Sequence, residues 1–154
     1  MNRDFAARHA INVIAPQLLT GDTAESGWLP VTDAVRLFAL INIGATDVAV
    51  DAKLQQATTS TGTGAKDIDG AALTQFATDE GEQYASIDLE TAALDINHGF
   101  AFVQLSITAD PGPEPEEGQP AWTGAMVEAV LIRTCRHAPP TQATAYKEQV
   151  VVAG

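Results

Sequence analysis

The sequence lacks the usual means of stabilising or targeting a chain from outside its core. Among 154 residues there is one cysteine, Cys135, so no internal disulfide can form. The opening MNRDFAARHA has no apolar run of the kind found in a signal peptide. No stretch approaches the ~18 apolar residues of a membrane span. These absences predict synthesis in a cytoplasm and a fold held by its own core, which a chain of this length can bury.

Basic residues are also scarce and unevenly placed. Eight Lys and Arg face twenty Asp and Glu, for a net charge of −12. Segments 1–10 and 133–154 hold five bases and two acids, a formal sum of +3, whereas residues 11–132 hold three bases and eighteen acids, a sum of −15. Such an acidic body repels phosphate, which argues against nucleic acid and anionic membranes as partners. The basic ends are expected to seek an acidic or polar neighbour.

Side chains that carry catalysis or bind metals are few and scattered. The three histidines, His9, His98 and His137, lie far apart in sequence, and aromatic residues make up 6% of the chain. Cys135 and His137 are two residues apart, but nothing else supports a catalytic pair, and Cys135 is interpreted as a small buried side chain. No phosphate-binding, dinucleotide-binding or nucleophile-elbow motif occurs. The prediction is a protein without catalysis, cofactor or metal.

Two acidic clusters leave one alternative open. Asp67-Ile68-Asp69-Gly70 is similar to the start of a calcium loop, but no Glu stands at the position where such a loop needs one. A second cluster comprises Asp79, Glu80 and Glu82. A solvated acidic face is the first interpretation of both clusters, and a weak calcium site between loops is the alternative.

What the sequence does contain is short β-prone segments. Residues 47–55, 83–89 and 100–109 alternate apolar and polar side chains with period two, which indicates half-buried strands. For 100–109 the alternation places Phe102, Gln104, Ser106 and Thr108 outward. The nearly continuous apolar run 34–43 predicts a buried strand, and Gly44–Thr46 is predicted to join it to 47–55 as a hairpin.

Proline marks the remaining segments. Pro16 interrupts the strand predicted over 11–19, which places that strand at an edge or a bulge. Residues 122–135 predict the last long strand, and the proline- and acid-rich segment 110–120 predicts an exposed loop. The whole pattern predicts an all-β fold, an antiparallel sandwich or barrel-like single domain over 11–137. Residues 1–10 and 138–154 are predicted to be N- and C-terminal arms.

Several of these segments, taken in order, resemble a known family. They are an INVIAPQLLTGDT opening, a LFALINIGA strand, VAVDAKLQQATTSTGTGAKDIDGAAL, a central FAFVQLSIT strand and an AVLIRTCRHAPP ending. The pattern, over roughly residues 10–140, resembles small structural proteins of tailed-phage particles, with Lys53-Leu54-Gln55 and Arg136-His137-Ala138-Pro139 as its best matches. Ala57–Gly62 replaces an acidic Ser-Asp-Asp-Gly stretch, and Gly99-Phe100 replaces an Arg-Tyr pair. Segments 110–120 and 141–154 depart from the pattern.

The resemblance implies a head decoration (cement) protein that binds the major capsid protein on the outside of a phage head and associates with itself, expected as a trimer. A head–tail joining or tail protein is an alternative within the same class. A carbohydrate- or receptor-binding sandwich is an alternative from another class, and it would need a cluster of exposed aromatic residues. The predicted partner contacts are Arg3, Arg8, Trp122, Arg136, Lys147, Val150 and Val151.

Overall fold

A computed structural model describes residues 9–136 as two antiparallel β-sheets in one domain. This confirms the predicted all-β sandwich. The predicted C-terminal arm 138–154 lies outside the described residues, as do five of the predicted contacts: Arg3, Arg8, Lys147, Val150 and Val151.

The strands follow one another with few interruptions. In chain order they are β1 His9–Leu19, β2 Thr23–Glu25, β3 Leu29–Pro30, β4 Ala34–Thr46, β5 Ala49–Ala57, β6 Lys66–Ala72, β7 Gln83–Glu90, β8 Phe102–Asp110 and β9 Ala125–Cys135. Two short 3-10 turns, Thr91–Ala93 and Ile96–His98, lie between β7 and β8.

The strands form two layers. Sheet A has the order β1-β9-β4-β7, and sheet B has the order β2-β8-β5-β6, with β3 also pairing with β8. The inner faces of the two sheets share one apolar core, whose largest fully buried side chains include Leu37, Ile41, Leu54, Leu105 and Leu131. Burial of this continuous layer is the main favourable contribution to folding.

The prediction for the proline-bearing strand is confirmed. β1 pairs only with β9 among the described strands, and its register shifts between Ile14 and Gln17, on either side of Pro16. Proline cannot donate to the ladder, so an edge strand with an irregularity accommodates it. β1 also begins at His9, and Ala10 is fully buried. These two residues therefore belong to the strand and not to the predicted arm 1–10.

The alternating segments became strands β5, β7 and β8, as predicted. Gln104 and Ser106 alternate with the core residues of β8 and so lie on its outer face, as predicted, but they are only 3% and 5% exposed. β8 is an interior strand of sheet B, with β2 and β3 on one side and β5 on the other. The side chains of these neighbouring strands shield its outer face, which alternation within one strand cannot reveal.

The predicted hairpin between 34–43 and 47–55 was also wrong. β4 belongs to sheet A and β5 to sheet B, so the chain crosses from one layer to the other at Asp47 and Val48. The Asp47 carboxylate accepts hydrogen bonds from the backbone N–H groups of Thr123 and Gly124, at 2.7 and 2.8 Å. Crossing lets the apolar faces of both strands meet across the core, whereas pairing would have put them side by side.

Candidate docking surface

The outer face of sheet A carries apolar side chains that the core does not use. Val13 is 40% exposed and Phe38 is 37% exposed, and Leu40, Val130 and Ile132 are half-buried. The strand register brings them together, since Phe38 pairs with Ile132, and Val130 pairs with both Leu40 and Val13. Directly opposed residues share a face of the sheet. We call these five residues the outer patch.

Polar groups border the outer patch at both ends. Towards one end, Arg36 Nε donates to Asp88 Oδ1 at 2.6 Å and Arg36 Nη2 donates to Asp88 Oδ2 at 2.7 Å. The hydrogen bonds from Arg36 lower the pKa of Asp88. Towards the other end, Asn42 Nδ2 donates to Glu128 Oε1 at 2.7 Å. An apolar centre with a hydrogen-bonded polar border is the usual anatomy of a protein–protein interface.

A shallow groove of about 330 Å³ continues the outer patch beyond Asn42. Its lining includes Pro16, Gly44, Tyr84, Met126, Glu82 and Glu128. Gly44 lets the backbone of β4 approach Met126 closely, because a Cβ at position 44 would lie 3.0 Å from Met126 Cβ. The walls of the groove are mostly apolar and carry two carboxylates, Glu82 and Glu128.

Basic residues gather at the end of the sandwich where β9 finishes. Arg36 and Lys66 lie there in ion pairs with Asp88 and Asp95, the latter pair at 2.6 Å. Arg133 is half-buried, donates from Nη1 to Pro30 O at 2.9 Å, and has no hydrogen-bond partner for its buried Nε. Burial lowers the pKa of Arg133, yet a guanidinium stays charged at neutral pH. No described carboxylate pairs with it.

Arg136, a predicted contact, is exposed at the same end of the sandwich, and its backbone N–H donates to Asp33 O at 2.7 Å. The described chain leaves the sandwich here, and β1 starts here too, because His9 pairs with Thr134. The described part of the chain therefore begins and ends at the same end of the sandwich, which we call the arginine end.

The opposite end of the sandwich is acidic. Its loops, at 20–22, 47–48, 77–82 and 111–124, contain no Lys or Arg. They carry the acids Asp22, Asp47, Asp79, Glu80, Glu82, Glu114, Glu116 and Glu117. We call it the acidic end. The segment 110–120 belongs to it and is mostly exposed, as predicted. The molecule is therefore electrostatically polar along the strand direction, and this polarity gives it two unlike ends for contact.

The remaining predicted residues fall in separate places. Trp122 is 40% exposed in the loop before β9, at the acidic end and away from Arg136. Trp28 packs instead on Gly62, whose Cβ, if present, would lie 2.5 Å from the indole Nε1. Cys135 is buried, as predicted, and burial raises the pKa of its thiol. A raised pKa disfavours the reactive thiolate.

One carboxylate from each acidic cluster of the calcium alternative already accepts hydrogen bonds within the fold. Asp67 lies in β6 and accepts from Lys53 Nζ at 2.8 Å and from Gln55 Nε2 at 2.7 Å. Glu80 accepts from the backbone N–H of Ala77 at 2.8 Å. Within residues 9–136, no group of three or more His, Cys, Asp or Glu side chains is placed to hold a metal ion. No helix in that same range is long and apolar enough to cross a bilayer.

The outer patch itself was not predicted. The run 34–43 was interpreted as buried, without distinguishing its two faces, because almost every residue in it is apolar. Only one face of β4 reaches the core, through Leu37, Ala39, Ile41 and Ile43, whereas Phe38 faces outward. A sequence signal existed: β1, β4 and β9 contain more apolar residues than a strand with one solvent-exposed face would need for its buried face.

Comparisons with known proteins identify no family. No protein-family model and no curated protein sequence matches the chain. Among solved structures, an SPBc2 prophage-derived protein, YomS, is similar at a TM-score of 0.44 and 10% identity, over 83% of this chain and 95% of that one. Tobacco streak virus coat protein is similar at a TM-score of 0.39 and 10% identity, over 95% of this chain and 96% of that one. These values are too low to support a functional conclusion.

Proposed function

We propose that this chain is a non-enzymatic structural protein of a tailed-phage particle. It binds the major capsid protein on the outside of the head, decorates and stabilises the shell, and associates with itself as a trimer. The observation that carries the structural role is the outer patch. Monomeric soluble proteins rarely leave such a contiguous apolar surface uncovered, and when they do it marks a site for another macromolecule. The assignment to a phage head rests on the resemblance over residues 10–140.

The alternatives are less well supported. A sugar-binding sandwich would need exposed aromatic residues side by side, but Phe38 and Tyr84 lie on adjacent strands about four residues apart along the ladder. That is roughly 13 Å at the rise of a β-strand. A head–tail joining or tail role would use the same kind of surface. Copy number in the particle separates it from decoration: hundreds of copies fit decoration, and about a dozen fit a portal or tail position.

The arms are proposed to strengthen attachment. Gln149–Ala153 is rich in valine and suits addition to a sheet edge of a neighbour, and Arg3, Arg8 and Lys147 can add ionic contacts. Ordering an arm on a neighbour costs about 1–2 kcal/mol per residue in backbone entropy. The arms would therefore hold the protein only where their contacts with a neighbouring surface outweigh this loss of entropy.

The test adds truncated proteins to capsids that lack the protein and measures occupancy. Because His9 and Ala10 are part of β1, the N-terminal deletion stops at residue 8, and the C-terminal deletion removes 141–154. Both variants should fold and attach more weakly than the full chain, and the difference should shrink at high salt, where the ionic contacts of the arms are screened. Full occupancy by both at every salt concentration would remove the arms from the mechanism. Failure of the full chain to bind any capsid would refute the proposed function.

A further inference from the structure

We infer that the outer patch of sheet A is the surface through which copies of this chain associate, so that its occupant in the assembly is a second copy. The inference deepens the proposed function by assigning self-association to a particular face. It also separates that role from the arginine end, which is left for the shell.

The first argument is area. Four strands spaced about 4.8 Å apart, each about ten residues long with a rise of about 3.4 Å, present a face of roughly 650 Å². Two such faces bury about 1,300 Å², which lies within the range of about 1,200–2,000 Å² for specific, stable interfaces. The outer face of sheet A is therefore large enough for a stable contact without help from other surfaces.

The second argument is charge. The chain carries a net charge of −12, so two copies repel each other over most of their surface. The outer patch contains no charged side chain. At its border, Arg36 and Asp88 neutralise each other in an ion pair, and Glu128 accepts a hydrogen bond from Asn42. Self-association therefore costs less electrostatically on this face than at the acidic end, which would bring eight carboxylates against eight.

The third argument is self-complementarity. The outer patch is a strip of aliphatic and aromatic side chains across three strands, and one copy of such a strip can pack against another. Two copies can place the strips face to face, and three copies can turn them towards a common axis. Either arrangement uses the same residue set on every copy, as closed symmetric assemblies do.

The experiment measures mass and dissociation constant by sedimentation of the full chain and two variants. The first variant joins Val13→Lys and Phe38→Lys. Both positions are exposed, and Phe38 lies opposite Asp88, so the new ammonium groups do not disturb the core. The matched control, Ile96→Lys, changes a side chain that is 60% exposed in a 3-10 turn outside sheet A. Circular dichroism and thermal melting verify that each variant is folded.

The wild type and Ile96→Lys should be oligomers, and the double variant should dissociate at least about 30-fold more readily, which corresponds to the roughly 2 kcal/mol that defines an interface hot spot. A monomeric wild type, or equal association by both variants, would overturn the inference. Measuring capsid occupancy distinguishes a failure of this inference from a failure of the proposed function. If the wild type is monomeric and only the double variant loses occupancy, the outer patch faces the shell, which also overturns the inference.

Discussion

Leu105 lies at the centre of β8 and is fully buried between the two sheets. Its side chain points into the core together with Val103 and Ile107, so truncation would leave a cavity that the surrounding strands cannot close. Replacement by alanine should lower the free energy of unfolding by about 2–5 kcal/mol. Denaturant unfolding measures this change.

Leu18→Ala is the matched control, because the same atoms are removed from a side chain that is exposed on β1. Surface changes of this kind usually stay within about 0.5 kcal/mol. Equal losses for both variants would mean that the sheets do not pack with Leu105 between them.

Gly62 tests the contact between Trp28 and the loop after β5. It has φ +81°, and an added Cβ would lie 2.5 Å from the Trp28 indole nitrogen. Gly99 has the same φ with no heavy atom within 4 Å of its would-be Cβ. Both alanine variants should lose about 1–2 kcal/mol of stability from the left-handed backbone. Gly62→Ala should lose more, and its tryptophan fluorescence should change.

An identical loss in both variants, with unchanged fluorescence, would show that Trp28 does not pack on this loop in solution. The distinction matters for function, since a Trp28 freed from the loop would be available as an interface anchor.

At the scale of elements, the crossover from β4 to β5 depends on Asp47. Hydrogen bonds from the backbone N–H groups of Thr123 and Gly124 lower the pKa of this carboxyl below its ordinary 3.8. Because the folded-state pKa is the lower one, the stabilisation is complete above pH 3.8 and is lost as the pH falls through the folded-state pKa. Asp47→Asn should therefore be less stable than wild type at neutral pH, and the difference should shrink below pH 3.8.

Denaturant unfolding across this pH range measures the difference. Asp79→Asn removes a carboxylate from the same acidic end and is the control, with an expected stability close to wild type at every pH. A gap between wild type and Asp47→Asn that stays constant down to the lowest pH would argue against charged hydrogen bonds as the link between the crossover and the loop before β9.

The elements also show what local pattern predicts and where it stops. Alternation predicted β5, β7 and β8 with their inward residues, because period two follows directly from strand geometry. It could not assign β4 and β5 to different sheets, because the partners of Asp47 are Thr123 and Gly124. These residues lie 76 and 77 positions further along the chain. The burial of Gln104 likewise depends on which strands flank β8. The outer patch depends on the register of β1, β4 and β9, which no single segment contains.

At the scale of the whole molecule, the two ends of the sandwich differ in charge, which the separate segments do not reveal. The arginine end carries Arg133 and Arg136, and the described chain enters and leaves there, whereas the loops of the acidic end hold eight carboxylates and no base. The described residues next to both predicted arms therefore lie at the end that carries the exposed Arg136. We propose that the protein stands on the shell at its arginine end, with the acidic loops outward, where their charge would limit aggregation of particles.

Arg136→Gln tests this orientation. It removes one exposed positive charge at the arginine end, and Lys53→Gln is the matched control, because it removes one positive charge from the middle of sheet B. Occupancy of capsids should fall for Arg136→Gln alone. Its dependence on salt should also be weaker than that of wild type, because fewer ionic contacts remain to be screened. Equal occupancy and equal salt dependence for the two variants would show that the arginine end does not face the shell, and attachment would then have to run through the acidic end or a sheet face.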